Sequence, residues 1–310
     1  MGGKQGWHRS PSEALRVGPG FSLADLDPNA TPAWHGGEDD AVAEMARRGK
    51  DLATLQEQLF ARGEEGDTRS VLLVIQGLDT AGKDGIVTHV VGLVNPMGVK
   101  ITGFGVPTEE ERKHHYLWRI RNALPSAGRI GVFARSHYEQ VLVVRVKNLV
   151  PPETWATYYD ELNAFEAEVA AGGTTVVKCA LVISPAEQLQ RLEARLDDPS
   201  KYWKYNPKDL EVHASWNEYQ AAYQEMFDRC SPAAAPWYAI PADHKWYARL
   251  AVAEILATAM EGLELTWPEA TFDVATEKAR IASLDPDGPA SSKSVARSRG
   301  GAQLKGEAPA

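Results

Sequence analysis

The chain has 310 residues, 44% of them hydrophobic and 24% charged, enough apolar content for a substantial core and too much for a disordered or fibrous protein. Lys and Arg total 33 against 42 Asp and Glu, a formal net charge of −9, which excludes a general nucleic-acid-coating protein. Any phosphate ligand must therefore meet a local basic site set in an acidic body.

Residues 1–31 are rich in Gly, Pro, Ser and Asn without a sustained period and read as an irregular arm. From Asp40 to Arg62, Val42, Met45, Leu52, Leu55, Leu59 and Phe60 recur at helical spacing until Gly63, Gly66 and Asp67 break the pattern. Short apolar runs follow at Val71–Ile75, Val99–Phe104, Ile130–Phe133, Thr174–Ile183 and Trp237–Ile240. Between and after them lie helical patterns at Asp84–Val94, Glu109–Leu124, Pro152–Ala171, Pro185–Leu196 and His244–Met260. Continuous apolar strands alternating with helices predict an α/β, doubly wound parallel sheet of about five strands, covered on both faces. The body spans 32–265, and 266–310 is a C-terminal extension that reads as a disordered tail from Ser283.

No apolar run approaches the ~18 residues of a membrane span, and residues 1–20 lack the apolar core of an export signal. Cys179 and Cys230 are too few for a disulfide framework, and Cys179, inside an apolar run, reads as a buried thiol. A cytoplasmic protein with neither membrane nor nucleic-acid partners is expected.

The first strand runs into Gly77-Leu78-Asp79-Thr80-Ala81-Gly82-Lys83-Asp84-Gly85, a G-x-x-x-x-G-K loop between strand and helix. Small residues let the backbone N–H groups of such a loop turn towards phosphate oxygens, and the lysine supplies a mobile cation. Gly77, Thr80, Ala81, Gly82, Lys83, Asp84 and Gly85 are thus the predicted phosphate cradle. Position 84 is Asp rather than the usual Ser or Thr, and Asp79 lies within the loop. Two carboxylates beside phosphates imply a bridging divalent cation, with Asp79 and Asp84 as its candidate ligands.

Arg135 follows another strand at its carboxyl end, where α/β proteins place ligands, and its guanidinium suits a phosphate. Ala134 stands where an acid usually assists the metal. Arg112, Lys113, Arg119, Arg121 and Arg129 form one basic cluster; Arg191, Arg195, Lys201, Lys204 and Lys208 form another, interleaved with Trp203 and Tyr205. Spacing alone fits this second stretch equally to a closing lid and to a solvated charged face. His114 and His115 point about 100° apart on a helix and do not make a metal pair. Trp118, Trp155 and Trp216, at helical spacing, read as core.

The phosphate loop, Arg135-Ser136-His137-Tyr138-Glu139, the stretch Arg191 to Lys204 and the stretch Ala235 to Trp246 together resemble the type 2 polyphosphate kinases over roughly residues 27–260. The resemblance implies a thymidylate-kinase-like P-loop kinase fold, a three-layer α/β/α sandwich with a helical lid at about 191–208. It implies Mg²⁺-dependent phosphoryl transfer, with Mn²⁺ as an alternative ion, between inorganic polyphosphate and AMP, ADP or ATP. By position, Asp79, Lys83 and Arg135 would be catalytic and Arg191, Arg195, Lys201 and Lys204 would grip phosphate. Arg135, Tyr138 and Glu139 would face the nucleotide. Glu139 resembles branches that accept AMP as well as ADP, and members commonly form homo-dimers or homo-tetramers. The rival readings are an ATP-dependent nucleoside monophosphate kinase on the same fold and a non-catalytic polyphosphate or nucleotide binder.

Overall fold

The computed structural model describes residues 6–284; the tail expected from Ser283 otherwise lies outside the described residues. The chain divides into two units, Met1–Pro268 and Glu269–Ala310. In the first, β1 (Gly6–Trp7), α1 (Pro11–Ala14), β2 (Trp34–His35) and α2 (Glu38–Glu64) precede the main sheet. Then come β3 (Ser70–Gly77), α3 (Lys83–His89), β4 (Val99–Gly103), α4 (Leu117–Ala123), β5 (Ile130–Ala134), α5 (Val143–Val146) and α6 (Pro152–Ala171). The chain continues through β6 (Thr174–Val182), α7 (Pro185–Leu196), α8 (Asp209–Ala214), α9 (Trp216–Arg229), β7 (Trp237–Pro241) and α10 (Lys245–Glu261). The second unit contains α11 (Val274–Ala282), whose N-cap Asp273 accepts the Thr276 N–H at 2.6 Å.

Five strands form one parallel sheet in the order β4-β5-β3-β6-β7. The β3 side chains alternate between two cores. Val71, Leu73 and Ile75 join Leu52 and Leu59 of α2, Ile86 of α3 and Leu250 of α10; Leu72 and Val74 join Leu162 and Phe165 of α6 and Met226 and Phe227 of α9. This double burial explains the uninterrupted apolar run and completes the expected α/β/α sandwich. It also places β3 centrally, so the loop leaving its carboxyl end opens between β5 and β6, where the connections diverge to the two sides of the sheet.

The α6 and α7 boundaries coincide with the predicted ones because each has proline in its first turn, and Ser184 also caps α7 by accepting the Glu187 N–H at 3.1 Å. Two predicted helices are too long. The 84–94 pattern stops at His89 and continues as a 3₁₀ turn, Val91–Leu93. The 109–124 pattern is interrupted because the Thr108 N–H donates to Glu111 and the Glu111 N–H donates to the Thr108 hydroxyl, closing a separate turn before α4.

The N-terminal segment contributes Leu15, Val17 and Leu23 to the cores. The Val17 N–H donates to the Trp237 carbonyl at 2.8 Å and the Ala239 N–H to the Leu15 carbonyl at 2.9 Å. The segment thereby covers the outer edge of β7, which would otherwise present unpaired backbone groups. Both cysteines are free and buried, as expected of Cys179. No helix among the described residues is long and apolar enough to cross a membrane.

Candidate active site

The loop after β3 makes a tight return that dictates its glycines. Gly77 has φ +155°, and a Cβ there would lie 2.9 Å from the Leu181 carbonyl oxygen; Gly82 has φ +111°. Thr80 also takes a left-handed conformation, φ +70°. These reversals bring Lys83, the first residue of α3, back over the loop, where its ammonium donates to the carbonyls of Gly77 at 2.5 Å and Leu78 at 2.9 Å. Burial pulls the Lys83 pKa down while the Asp79 carboxylate works against that shift. Because α3 has only seven residues, the loop and Lys83 rather than a long helix dipole make this end electropositive.

Arg135 approaches from the carboxyl end of β5. Its N–H donates to the Ile75 carbonyl at 3.1 Å, its backbone is left-handed at φ +65°, and its guanidinium donates to Asp79 Oδ1 at 2.5 Å. Burial alone would raise the Asp79 carboxyl; the charges of Lys83 and Arg135 overcome it and hold the group below the ordinary carboxylate value. Glu139 completes this side, accepting from Gln76 Nε2 at 3.2 Å, with its own carboxyl pushed up by burial. The structure therefore gathers Asp79, Lys83, Arg135 and Glu139 at one strand-end.

Other predicted residues are placed differently. Tyr138, expected at the nucleotide, is fully buried below the site, its hydroxyl donating to Glu166 at 2.8 Å. In the turn His137 and Tyr138 both point inward while Glu139 meets Gln76, so a side chain adjacent to Glu139 points into the core. Arg191, expected on the lid as a phosphate ligand, is 7% exposed and has no donor left. Its Nε donates to Glu187, one terminal nitrogen to the carbonyls of Thr80 and Ala81, and the other to those of Ala242 and Asp243, at 2.6–3.1 Å. All five guanidinium N–H groups are spent clamping the underside of the loop to the end of β7.

Arg195, one turn further along α7, donates through a single nitrogen to the Lys204 carbonyl at 2.8 Å and to Asp209 Oδ2 at 3.3 Å. Lys204 lies 3.9 Å from Asp84, which is exposed on α3, and Lys201 pairs with Asp198 at 2.8 Å. Asp84 thus faces the 199–204 turn, whereas Asp79 faces Arg135. Among the described residues there is no group of three or more His, Cys, Asp or Glu side chains set to hold a metal.

The remaining basic cluster does not converge here. Arg112 donates to the Pro107 carbonyl, Lys113 pairs with Glu110, Arg119 donates to the Gly105 carbonyl, Arg121 pairs with Glu168 and Arg129 donates to the Met97 carbonyl. His114 and His115 take separate partners, Glu110 and Glu161. Trp118 is partly exposed under the stacked His114 ring rather than in the core.

Three residues at the site were not singled out by the sequence. Gln188, fully buried, donates to the Asp79 carbonyl at 3.2 Å and meets His213 at 2.8 Å. Asp209, 7% exposed, has its carboxyl raised by burial and by Asp79, against the pull of Arg195. Tyr219 carries a buried hydroxyl with no protein partner, and burial with Glu139 and Asp79 raises its pKa to about 12. The available signal was the apolar and aromatic spacing of Trp216, Tyr219, Tyr223, Met226 and Phe227, which defines α9.

Comparison with known proteins identifies the family and the fold. A family model described as polyphosphate kinase 2 matches residues 36–266. An AMP/ADP-polyphosphate phosphotransferase of Meiothermus ruber is 44% identical over 258 residues, covering 83% of this chain and 94% of its own. An ADP-polyphosphate phosphotransferase of Rhodopseudomonas palustris is 40% identical, over 71% of this chain and 79% of its own. The crystal structure of polyphosphate kinase 2 from Arthrobacter aurescens TC1 superposes with a TM-score of 0.86 at 48% identity, covering 90% of this chain and 99% of that one.

Proposed function

The chain belongs to the polyphosphate kinase 2 family, and on that premise we propose that it transfers the terminal phosphoryl group of inorganic polyphosphate to AMP and to ADP, reversibly. The observation that carries the chemistry is the meeting of Lys83, Arg135 and Asp79 around one phosphate loop at the carboxyl end of the central strand. The Meiothermus ruber relative, whose name gives both AMP and ADP as acceptors, supports the dual acceptor range.

The acceptor is a phosphate oxygen that is already ionised, so no general base is required. Rate comes from alignment of donor and acceptor and from neutralising charge on the transferring group. Lys83 exchanges its loop carbonyls for phosphate oxygens, and Arg135 supplies a two-pronged donor on the opposite side. Arg195, Lys201 and Lys204 extend the positive track for a polymeric donor, while Arg191 holds the loop in shape from below. Glu139 and Tyr219 border the acceptor side.

A Mg²⁺ ion, or Mn²⁺ in its place, fits these residues. Asp79 Oδ2 accepts no hydrogen bond from the described residues, and the Thr80 hydroxyl is buried without a partner. Mg²⁺ characteristically takes one or two carboxylates and fills its remaining positions with phosphate oxygens and water. Asp79 would hold it, Asp84 would contribute from the lid side, and the ion would offset the charge of the bound phosphates. Ala134 then costs one ligand without emptying the site.

The test is a reaction of purified protein with Mg²⁺ and polyphosphate, without ATP, given AMP or ADP in separate tubes and resolved by chromatography. ADP followed by ATP in the first tube and ATP in the second are expected. Product from ADP alone would remove AMP from the proposal, and product only after ATP is added would replace it with an ATP-dependent monophosphate kinase. A homo-dimer or homo-tetramer is part of the same proposal and is read by light scattering.

A further inference from the structure

Four polar residues, His137, Tyr138, Glu166 and Lys178, are buried together beneath the strand-end, none more than 2% exposed. Lys178 lies in the interior of the sheet, level with Val74 of β3 and Trp237 of β7. Its ammonium donates to Glu166 Oε2 at 2.6 Å, to the Cys230 carbonyl at 2.8 Å and to the Tyr138 hydroxyl at 2.9 Å, which uses all three N–H groups. Glu166 Oε1 accepts the Tyr138 hydroxyl at 2.8 Å and faces His137 Nε2 at 3.1 Å.

A buried ion pair seldom repays its desolvation, and well-packed apolar residues in its place are often at least as stabilising. Stability therefore does not account for a charged pair in the centre of this sheet. Its contacts give another reason. Two of the four residues belong to the five-residue stretch that carries Arg135 and Glu139. Within that stretch Arg135 points up to Asp79, His137 and Tyr138 turn inward to Glu166, and Glu139 returns to Gln76. Arg135 holds a left-handed backbone, a conformation that persists only where its surroundings over-determine it. The Ser136 hydroxyl accepts the Tyr138 N–H at 3.2 Å, and the inward anchors supply the rest.

We infer that the Glu166–Lys178 pair is a positioning device: by gripping His137 and Tyr138 from below, it fixes where Arg135 and Glu139 stand in the site. Neither Glu166 nor Lys178 touches a reacting atom. The kinetic part of this inference rests on the phosphoryl-transfer reading above.

The test is the double variant Glu166→Leu with Lys178→Met, which removes both charges together and leaves no buried charge unpaired. The variant strands the Tyr138 hydroxyl and the Cys230 carbonyl but no charge, and is expected to fold with its melting temperature lowered by several degrees. Its kcat with AMP falls about tenfold, in keeping with a slightly misplaced catalytic group, while KM for polyphosphate is unchanged. Amide hydrogen exchange across residues 135–139 accelerates about tenfold, with β5 itself unchanged. A merely structural pair would leave the kcat-to-KM split and the local exchange as they were.

If the double variant does not fold, His137→Leu with Tyr138→Phe removes the grip while Glu166 and Lys178 stay paired with each other, and provides the same readouts. Parental exchange at 135–139 in a folded variant overturns the inference, as do parental kcat and KM in an active one. Failure of both variants to fold also overturns it, because the cluster would then be needed for the fold itself. The exchange measurement requires no turnover. A parent protein without polyphosphate-dependent activity would therefore sink the functional reading, while exchange alone decides the positioning role.

Discussion

Arg191 and Arg195 stand one turn apart on α7, yet the inner half of the segment and its outer half do different work. On the inner half, Arg191 is buried and divides five N–H donors among Glu187 and four backbone carbonyls from the loop and the end of β7. On the outer half, Arg195 is part-exposed and Lys201 and Lys204 are exposed; all three pair with carboxylates at 2.8–3.9 Å, and the charge of Arg195 reaches Asp79 in the loop. The inner half holds the loop in shape; in the proposed reaction the outer half supplies charge to what enters it. A basic residue near phosphate is thus a ligand only if its donors remain unspent.

The largest effect is expected at Lys83, in the loop that the inner half holds and where the proposed reaction places its cation on the transferring group. Lys83→Ala should lower kcat about a thousandfold with little change in melting temperature, measured by chromatography of the nucleotides. A fall of less than tenfold would remove Lys83 from the chemistry. Next is Arg191→Met, which strands buried carbonyls and one carboxylate. It should cost about 3 kcal/mol and lower Tm by roughly 6 °C in a thermal melt. If Tm held and only the KM for polyphosphate rose, Arg191 would be a ligand and the contrast between the halves would collapse.

The outer half should respond in the opposite sense. Arg195→Met should shift stability by no more than about 1 kcal/mol while raising the polyphosphate KM roughly tenfold. Raising salt from 50 to 200 mM should increase that KM several-fold in the parent and less in Arg195→Met, because exposed charges are screened and one has been removed.

The smallest effect concerns Asp198, which caps the 199–204 turn by accepting from Ser200 and pairing with Lys201, contacts that lower its pKa to about 2. A depressed carboxylate stabilises above its ordinary value near 4, and that contribution is lost as pH falls towards 2. Emission of the exposed Trp203 should therefore change between about pH 4 and 2 in the parent but not in Asp198→Ala. Identical titrations would place that turn's order elsewhere.

Much of this was legible in the residues. Five apolar runs gave five parallel strands because burial on both faces removes the polar alternation, and proline set the starts of α6 and α7. The loop was legible because left-handed turns demand glycine at 77 and 82. The fate of each arginine was not, since Arg191 is satisfied by Ala242 and Asp243, about fifty residues away, and spacing along α7 cannot reveal that. Tyr138 was misplaced because adjacent residues in a turn need not face alike. Lys178 passed as part of an apolar strand because its partner, Glu166, lies on the preceding helix.

The most direct measurement uses polyphosphate labelled with ³²P, unlabelled AMP, Mg²⁺ and no other phosphate donor, with nucleotides separated over time. Label should appear first in the β-phosphate of ADP and then in ATP with the parent protein, and in neither with Lys83→Ala. Nucleotides that stay unlabelled with the folded parent, or label transfer that survives intact in Lys83→Ala, would contradict the account.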